Sequence, residues 1–162
     1  MSSVSGLSAA HRIKARDLTM QAALLGLKNT QSIYYTQTGR RWDGINKNLK
    51  AWQGEFPHYA DCSSFATWCL WNGLDHFGVR DVVNGAAWKA GYTGTMLNHG
   101  KVVTKQSNWM RGDLILYGNG FPGHHVAVYC GDGFVISHGS NAGPLKIRWN
   151  YRSDFMCCRR YI

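Results

Sequence analysis

The chain has no apolar run near the roughly 20 residues that a membrane-spanning helix needs. Its opening, MSSVSGLSAAHRIKARD, lacks the hydrophobic core of a secretory leader. Neither stable membrane association nor classical export is therefore expected, and action outside the cytoplasm would need another exit. Acidic residues are scarce: nine stand against eighteen Lys and Arg, a net charge of +9 that favours a polyanionic partner. Proline is rare too, with three in all, and there is no low-complexity linker and no repeat. The 162 residues are read as a single domain, 1–162.

Other absences narrow the chemistry. No zinc-type C-x-x-C pair and no H-E-x-x-H occur, so a metal site built from His124, His125, His138 and a cysteine is the weaker use of those residues. No metal and no cofactor are expected. RRM, zinc-finger and helix-turn-helix signatures are missing and the cations are scattered, which argues against nucleic acid; an anionic cell wall satisfies the charge equally well. The cysteines at 62, 69, 130, 157 and 158 are odd in number, a poor basis for a disulfide framework. At least one thiol is then available for chemistry.

What is present is a core: 44% hydrophobic residues against 17% charged ones place the chain among folded domains rather than disordered ones. Residues 8–28 read as a helix with Ile13, Met20, Leu24 and Leu27 as its apolar stripe. A second helix is expected from Cys62 to about Asn72, with Asp61 as N-cap, Phe65, Ala66 and Cys69 facing inward, and Gly73 as the exit. Residues 86–99 read mainly as connection, with short helical turns broken by glycine. Beyond Gly112 the period changes to two, giving strands at Leu114–Tyr117, Val126–Cys130, Phe134–Ser137 and Leu145–Trp149. The pattern is α+β, helices first and a mostly antiparallel sheet after.

The segment PHYADCSSF puts Cys62 at the first helical position, where unpaired N–H groups and the positive dipole end favour thiolate and can hold an oxyanion. Asp61 and Ser63 flank it. A buried, inert cysteine is the competing reading at Cys62, and it is preferred at Cys69. Bases for such a nucleophile cluster in PGHHVAVYCGDGFVISHGSNAGP. If Asp132-Gly133 forms a two-residue turn, Gly131 pairs with Phe134 and Ala127 with His138. Alternation then sets His125 on the face of His138, as a base and its orienter, with His124 pointing away.

ADCSSF and HHVAVY resemble the nucleophile and base segments of the NlpC-like cysteine peptidases. The resemblance implies a papain-like fold, Cys62 as nucleophile, His125 as base, His138 as third polar residue, and hydrolysis of peptide bonds in the peptidoglycan stem. YTQTGRRWDGI, YADCSSFATWCLWNGL, NGAAWKAGYTGTMLNHG and VISHGSNAGP resemble the N-terminal peptidase domains of actinobacteriophage endolysins. That implies a monomeric, bacteriolytic enzyme held in the host cytoplasm until a holin-type pore opens, with peptidoglycan and anionic wall polymers as partners. Ser64 and Ala127 stand where many relatives have glycine. Tyr34, Tyr35, Trp42, Trp52 and Tyr59 are groove candidates, with core packing the bland alternative. An N-acetylmuramoyl-L-alanine amidase of the same fold and a non-catalytic wall-binding or phage structural module are the alternatives.

Overall fold

The computed structural model describes residues 3–139 and 143–162. In chain order the elements are α1 (Ala9–Lys28), β1 (Tyr34–Tyr35), α2 (Asp43–Asn46), β2 (Tyr59–Ala60), α3 (Cys62–Leu74) and α4 (Thr93–Leu97). There follow β3 (Lys101–Val102), β4 (Leu114–Tyr117), β5 (His125–Gly131), β6 (Phe134–Ser137), β7 (Leu145–Arg148) and β8 (Phe155–Arg160). The six later strands form one antiparallel sheet, ordered β3-β8-β4-β5-β6-β7. Helices pack on one of its faces, an α+β papain-like architecture. No described helix is long and apolar enough to cross a membrane.

The helix at 8–28 forms, but it does not bury the expected stripe. Ile13 and Leu24 are exposed, and of the four stripe residues only Met20 is fully buried. The inner face is made instead of Ala15, Leu18, Thr19, Ala22, Ala23 and Gly26. Small side chains let the α1 backbone approach α3 closely, a gain in packing that larger residues on that face would forfeit. A Cβ on Gly73 would collide with the Ala15 carbonyl, and one on Gly26 would lie 2.5 Å from the Phe65 ring. Gly73 is thus not the exit of α3 but a contact glycine inside it; the helix runs on to Leu74, and the left-handed residue that ends this stretch is Gly78, φ 68°.

The sheet separates two apolar layers by strand parity. Leu114, Leu116, Val126, Val128 and Ile136 face the helices and join Phe65, Trp68 and Leu70 in the main core. Ile115, Tyr117, Ala127, Tyr129, Val135 and Cys158 cover the far face with Trp109. β8, at the C-terminal end, is a full inner strand between β3 and β4 that the residue pattern did not reveal. Its sequence, FMCCRR, alternates poorly because Arg160 is held by Asp113 in a two-point ion pair rather than by exposure.

Candidate active site

Cys62 opens α3, and Asp61 caps it as expected. The Asp61 carboxylate accepts from the Ser64 N–H at 2.8 Å, while Ser64 Oγ accepts from the Asp61 N–H at 2.8 Å, a reciprocal capping box. Ser63 Oγ donates to Asp61 at 3.2 Å, and Arg41 pairs with the other carboxylate oxygen at 3.3 Å. These contacts fix the first turn of α3 to a short segment of chain. Their consequence is that the sulfur of Cys62 faces its own N–H and that of Ser63, and also the N–H of Val126 on β5. The ladder between β5 and β6 stops at Val128, which leaves the Val126 amide for the thiol. The nucleophile candidate is thereby set one residue from His125.

A helix terminus by itself favours thiolate and would lower the Cys62 pKa. Burial dominates instead, joined by the adjacent Asp61 carboxylate, and pushes the thiol up to about 11 against the pull of the three N–H groups. His125 moves the opposite way, down to about 4, through burial, the Arg152 guanidinium and His138, with Asp154 opposing. At neutral pH the resting pair is therefore a thiol and a neutral imidazole.

The hairpin between β5 and β6 turns at Asp132 and Gly133 and pairs Gly131 with Phe134, as the Asp-Gly signal implies. A bulge at Cys130 then shifts the register, so Tyr129 pairs with Val135 and Val128 with Ile136. Gly131, at φ 96°, supplies the backbone conformation that the irregularity uses. Continued outward, this register brings Ser137, not His138, opposite Ala127. The expectation that His125 and His138 share a face is corrected by this one extra residue. His125 Nε2 meets Ser137 Oγ at 2.6 Å, and Ser137 Oγ meets the Tyr151 hydroxyl at 3.1 Å.

His138 belongs to the other face. It is buried, edge-on to Tyr35 at 5.5 Å and to Phe65 at 6.0 Å between ring centroids. His124 is exposed, as expected. Tyr35 lies beside the nucleophile: burial first, then the charges of Cys62 and Asp61, raise its phenol. Tyr59 is half-buried under the Arg40 guanidinium, 3.8 Å from its ring centroid. Tyr34 and Trp52 are exposed, whereas Trp42 is buried and belongs to the core rather than to a groove. Ser140, Asn141 and Ala142 of the VISHGSNAGP motif lie outside the described residues. Ser137, Tyr151 and Arg152 escaped the sequence reading; the only local sign of them is a glycine next to the Asp-Gly turn, where a bulge is permitted.

A cysteine at a capped helix start thus meets the second residue of a strand that opens with a histidine, within an α+β sheet. Residues 50–157 match the NlpC/P60 family model, two thirds of the chain, and the chain belongs to that family. Among solved structures, it is similar to Rv1477, a hypothetical invasion protein of Mycobacterium tuberculosis, at TM-score 0.66 and 17% identity over 96% of this chain and 66% of that one. It is similar to the NlpC/p60 domain of the peptidoglycan hydrolase SagA at TM-score 0.59 and 18% identity, covering 90% and 97%. NlpC1 of Trichomonas vaginalis gives TM-score 0.59 and 18% identity over 90% of this chain. This chain spans 44% of NlpC1 and 49% of NlpC2 from that organism. No curated protein matches.

Proposed function

We propose that the protein is a peptidoglycan hydrolase that cleaves stem-peptide amide bonds by acylation of Cys62. The observation that carries this reading is the joining of α3 to β5: a thiol at a capped helix start, held by the N–H of Val126, the residue that follows His125 along the strand, with His125 Nε2 engaged by Ser137. Family membership and the likeness to the SagA domain support the wall as substrate. The free nitrogen for chemistry is His125 Nδ1. As substrate arrives, the thiol proton passes to Nδ1 and the sulfur adds to the scissile carbonyl. The N–H groups of Cys62 and Ser63 hold the developing oxyanion. Collapse expels the amine, which takes the proton back from His125; water then hydrolyses the thioester with His125 as base. A neutral resting pair makes this general-base catalysis rather than attack by a preformed ion pair.

In the same reading the enzyme serves phage-mediated host lysis as a monomer, leaving the host cytoplasm through a holin-type pore. Arg12, Arg16 and Lys101 border a surface cavity of about 510 Å³ near the start of α1. They suit an anionic wall polymer. Zymography on purified walls, with the products identified by mass spectrometry, tests the proposal. Release of new amino termini from stem peptides, lost in Cys62→Ala, is expected; free muramoyl lactyl groups would indicate an amidase, and no cleavage a binding module. Wall lysis should weaken as salt shortens the Debye length from about 10 Å at 0.1 M to about 3 Å at 1 M, and hydrolysis of a soluble stem peptide should not. Equal sensitivity would remove the role assigned to the basic surface.

A further inference from the structure

The residues behind His125 form a continuous polar chain. Ser137 Oγ lies 2.6 Å from His125 Nε2 and 3.1 Å from the Tyr151 hydroxyl. Arg152, the next residue along the chain, is locked by Asp154 in a two-point pair, both contacts at 2.8 Å. The segment bearing these residues is pinned to the sheet. Tyr117 donates to the Trp149 carbonyl at 2.6 Å, and the Gly118 N–H donates to the Asp154 carbonyl at 2.7 Å. Ser137 is buried, whereas Tyr151 is 40% exposed.

A serine is an ambiguous neighbour for an imidazole, because its hydroxyl can accept from a ring N–H or donate to a bare ring nitrogen. The second option would put the ring proton on Nδ1 and leave no base for Cys62. Which option holds depends on where the serine's own proton goes. Tyr151 supplies an oxygen for it. With Ser137 donating to Tyr151, its lone pair is presented to His125, the Nε2–H donates to it, and Nδ1 is left bare. The arrangement also survives the imidazolium stage, since Nε2 stays a donor throughout.

We infer that Tyr151 is a positioning residue, acting through Ser137 to hold His125 in the Nε2–H tautomer, with the pinning of Trp149 and Asp154 to the sheet holding the tyrosine's segment in place. The inference rests on the hydrolase reading for its catalytic consequence, although the tautomer itself does not. Tyr151→Phe removes only an oxygen from a part-exposed ring, so the fold should be kept. Nitrogen NMR of the His125 ring in the free protein should show Nε2 protonated and Nδ1 bare in the wild type, and a shift toward the Nδ1–H form in Tyr151→Phe. On a soluble stem peptide, kcat of Tyr151→Phe should fall about 10- to 100-fold, the usual cost of losing an outer-shell partner, with KM unchanged. Because both groups act through one bond, Ser137→Ala with Tyr151→Phe should be no slower than Ser137→Ala alone. Wild-type kcat and an unchanged tautomer in Tyr151→Phe, beside an inactive Cys62→Ala, overturn the relay and leave the hydrolase standing. A fully active Cys62→Ala overturns the hydrolase reading instead, with the ring NMR still deciding the tautomer.

Discussion

The start of α3 and the β5–β6 hairpin place the proposed nucleophile and the proposed base by different physics. At the helix start the capping contacts lie within four residues: Asp61, Ser63 and Ser64 close around Cys62. Local hydrogen bonds of this kind form wherever the segment is helical, so the setting is robust. In the hairpin, the partner of His125 is chosen by a single bulge at Cys130, near the far end of β5, and parity carries that choice along β6. One residue more or less exchanges Ser137 for His138. The comparison teaches that a nucleophile held by short-range contacts can be relied on by a base whose neighbours depend on long-range register.

The sharpest break is chemical. Cys62→Ala should lower wall hydrolysis at least about 10⁴-fold without lowering Tm, as loss of a nucleophile generally does. His125→Ala should cost about 10²- to 10⁴-fold in kcat. His124→Ala, altering an exposed residue, should leave kcat within about twofold. His138→Ala should act mainly on stability, since its ring fills space between Tyr35 and Phe65; a drop in Tm with a smaller kcat loss than His125→Ala is expected. If His138→Ala instead kills turnover in a fully stable protein, the register argument is wrong.

Deleting Val135 tests the hairpin directly. With Gly131 still opposite Phe134, Tyr129 then meets Ile136, His138 rather than Ser137 comes to the face of His125, and buried and far-face residues of β6 exchange layers. Loss of both activity and cooperative unfolding is expected, read by calorimetry and wall turbidity. The matching change at the helix start is milder: Asp61→Ala removes the cap and should cost about 0.5 to 2 kcal/mol in a denaturant titration. Gly73→Ala sits between these, because α1 and α3 must part to admit the methyl group, an overpacking cost of about 1–3 kcal/mol.

pH separates the two regions further. With His125 held down to about 4 and Cys62 up to about 11, kcat/KM should stay level from neutrality to about pH 5 and fall below it as the imidazole protonates. Iodoacetamide should label Cys62 slowly at pH 7, faster as pH climbs toward 11, and in Asp61→Asn at lower pH than in wild type, because the carboxylate that raises the thiol is gone. For stability the sign follows from the depressed histidine. Between about 6.5, the unfolded value, and about 4, the unfolded chain binds a proton that the folded chain refuses, so stability falls as pH drops through that window. In His125→Ala this component of the Tm profile should vanish.

Much of this was legible in the order of residues. Asp61 before Cys62 dictates a capped helix start because the side chain reaches backbone N–H groups two and three residues on. The alternation in Leu114–Tyr117 and Phe134–Ser137 and the Asp132-Gly133 turn specify strands and their hairpin for similarly local reasons. What the residue order could not decide was anything summed over distant parts. The bulge at Cys130 is permitted by Gly131, but nothing in the neighbouring residues requires it. The close face of α1 is chosen by Gly73 and Phe65, some 50 residues away, rather than by its own largest side chains. The Cys62 thiol is governed by burial, which only the packed molecule sets, and it outweighs the helix terminus. Tyr151 reaches Ser137 because β7 returns beside β6 and Trp149 is tied to Tyr117. Short-range hydrogen bonding writes the helix start and the turn into neighbouring residues; register, desolvation and the partner of the base exist only once the whole chain has packed.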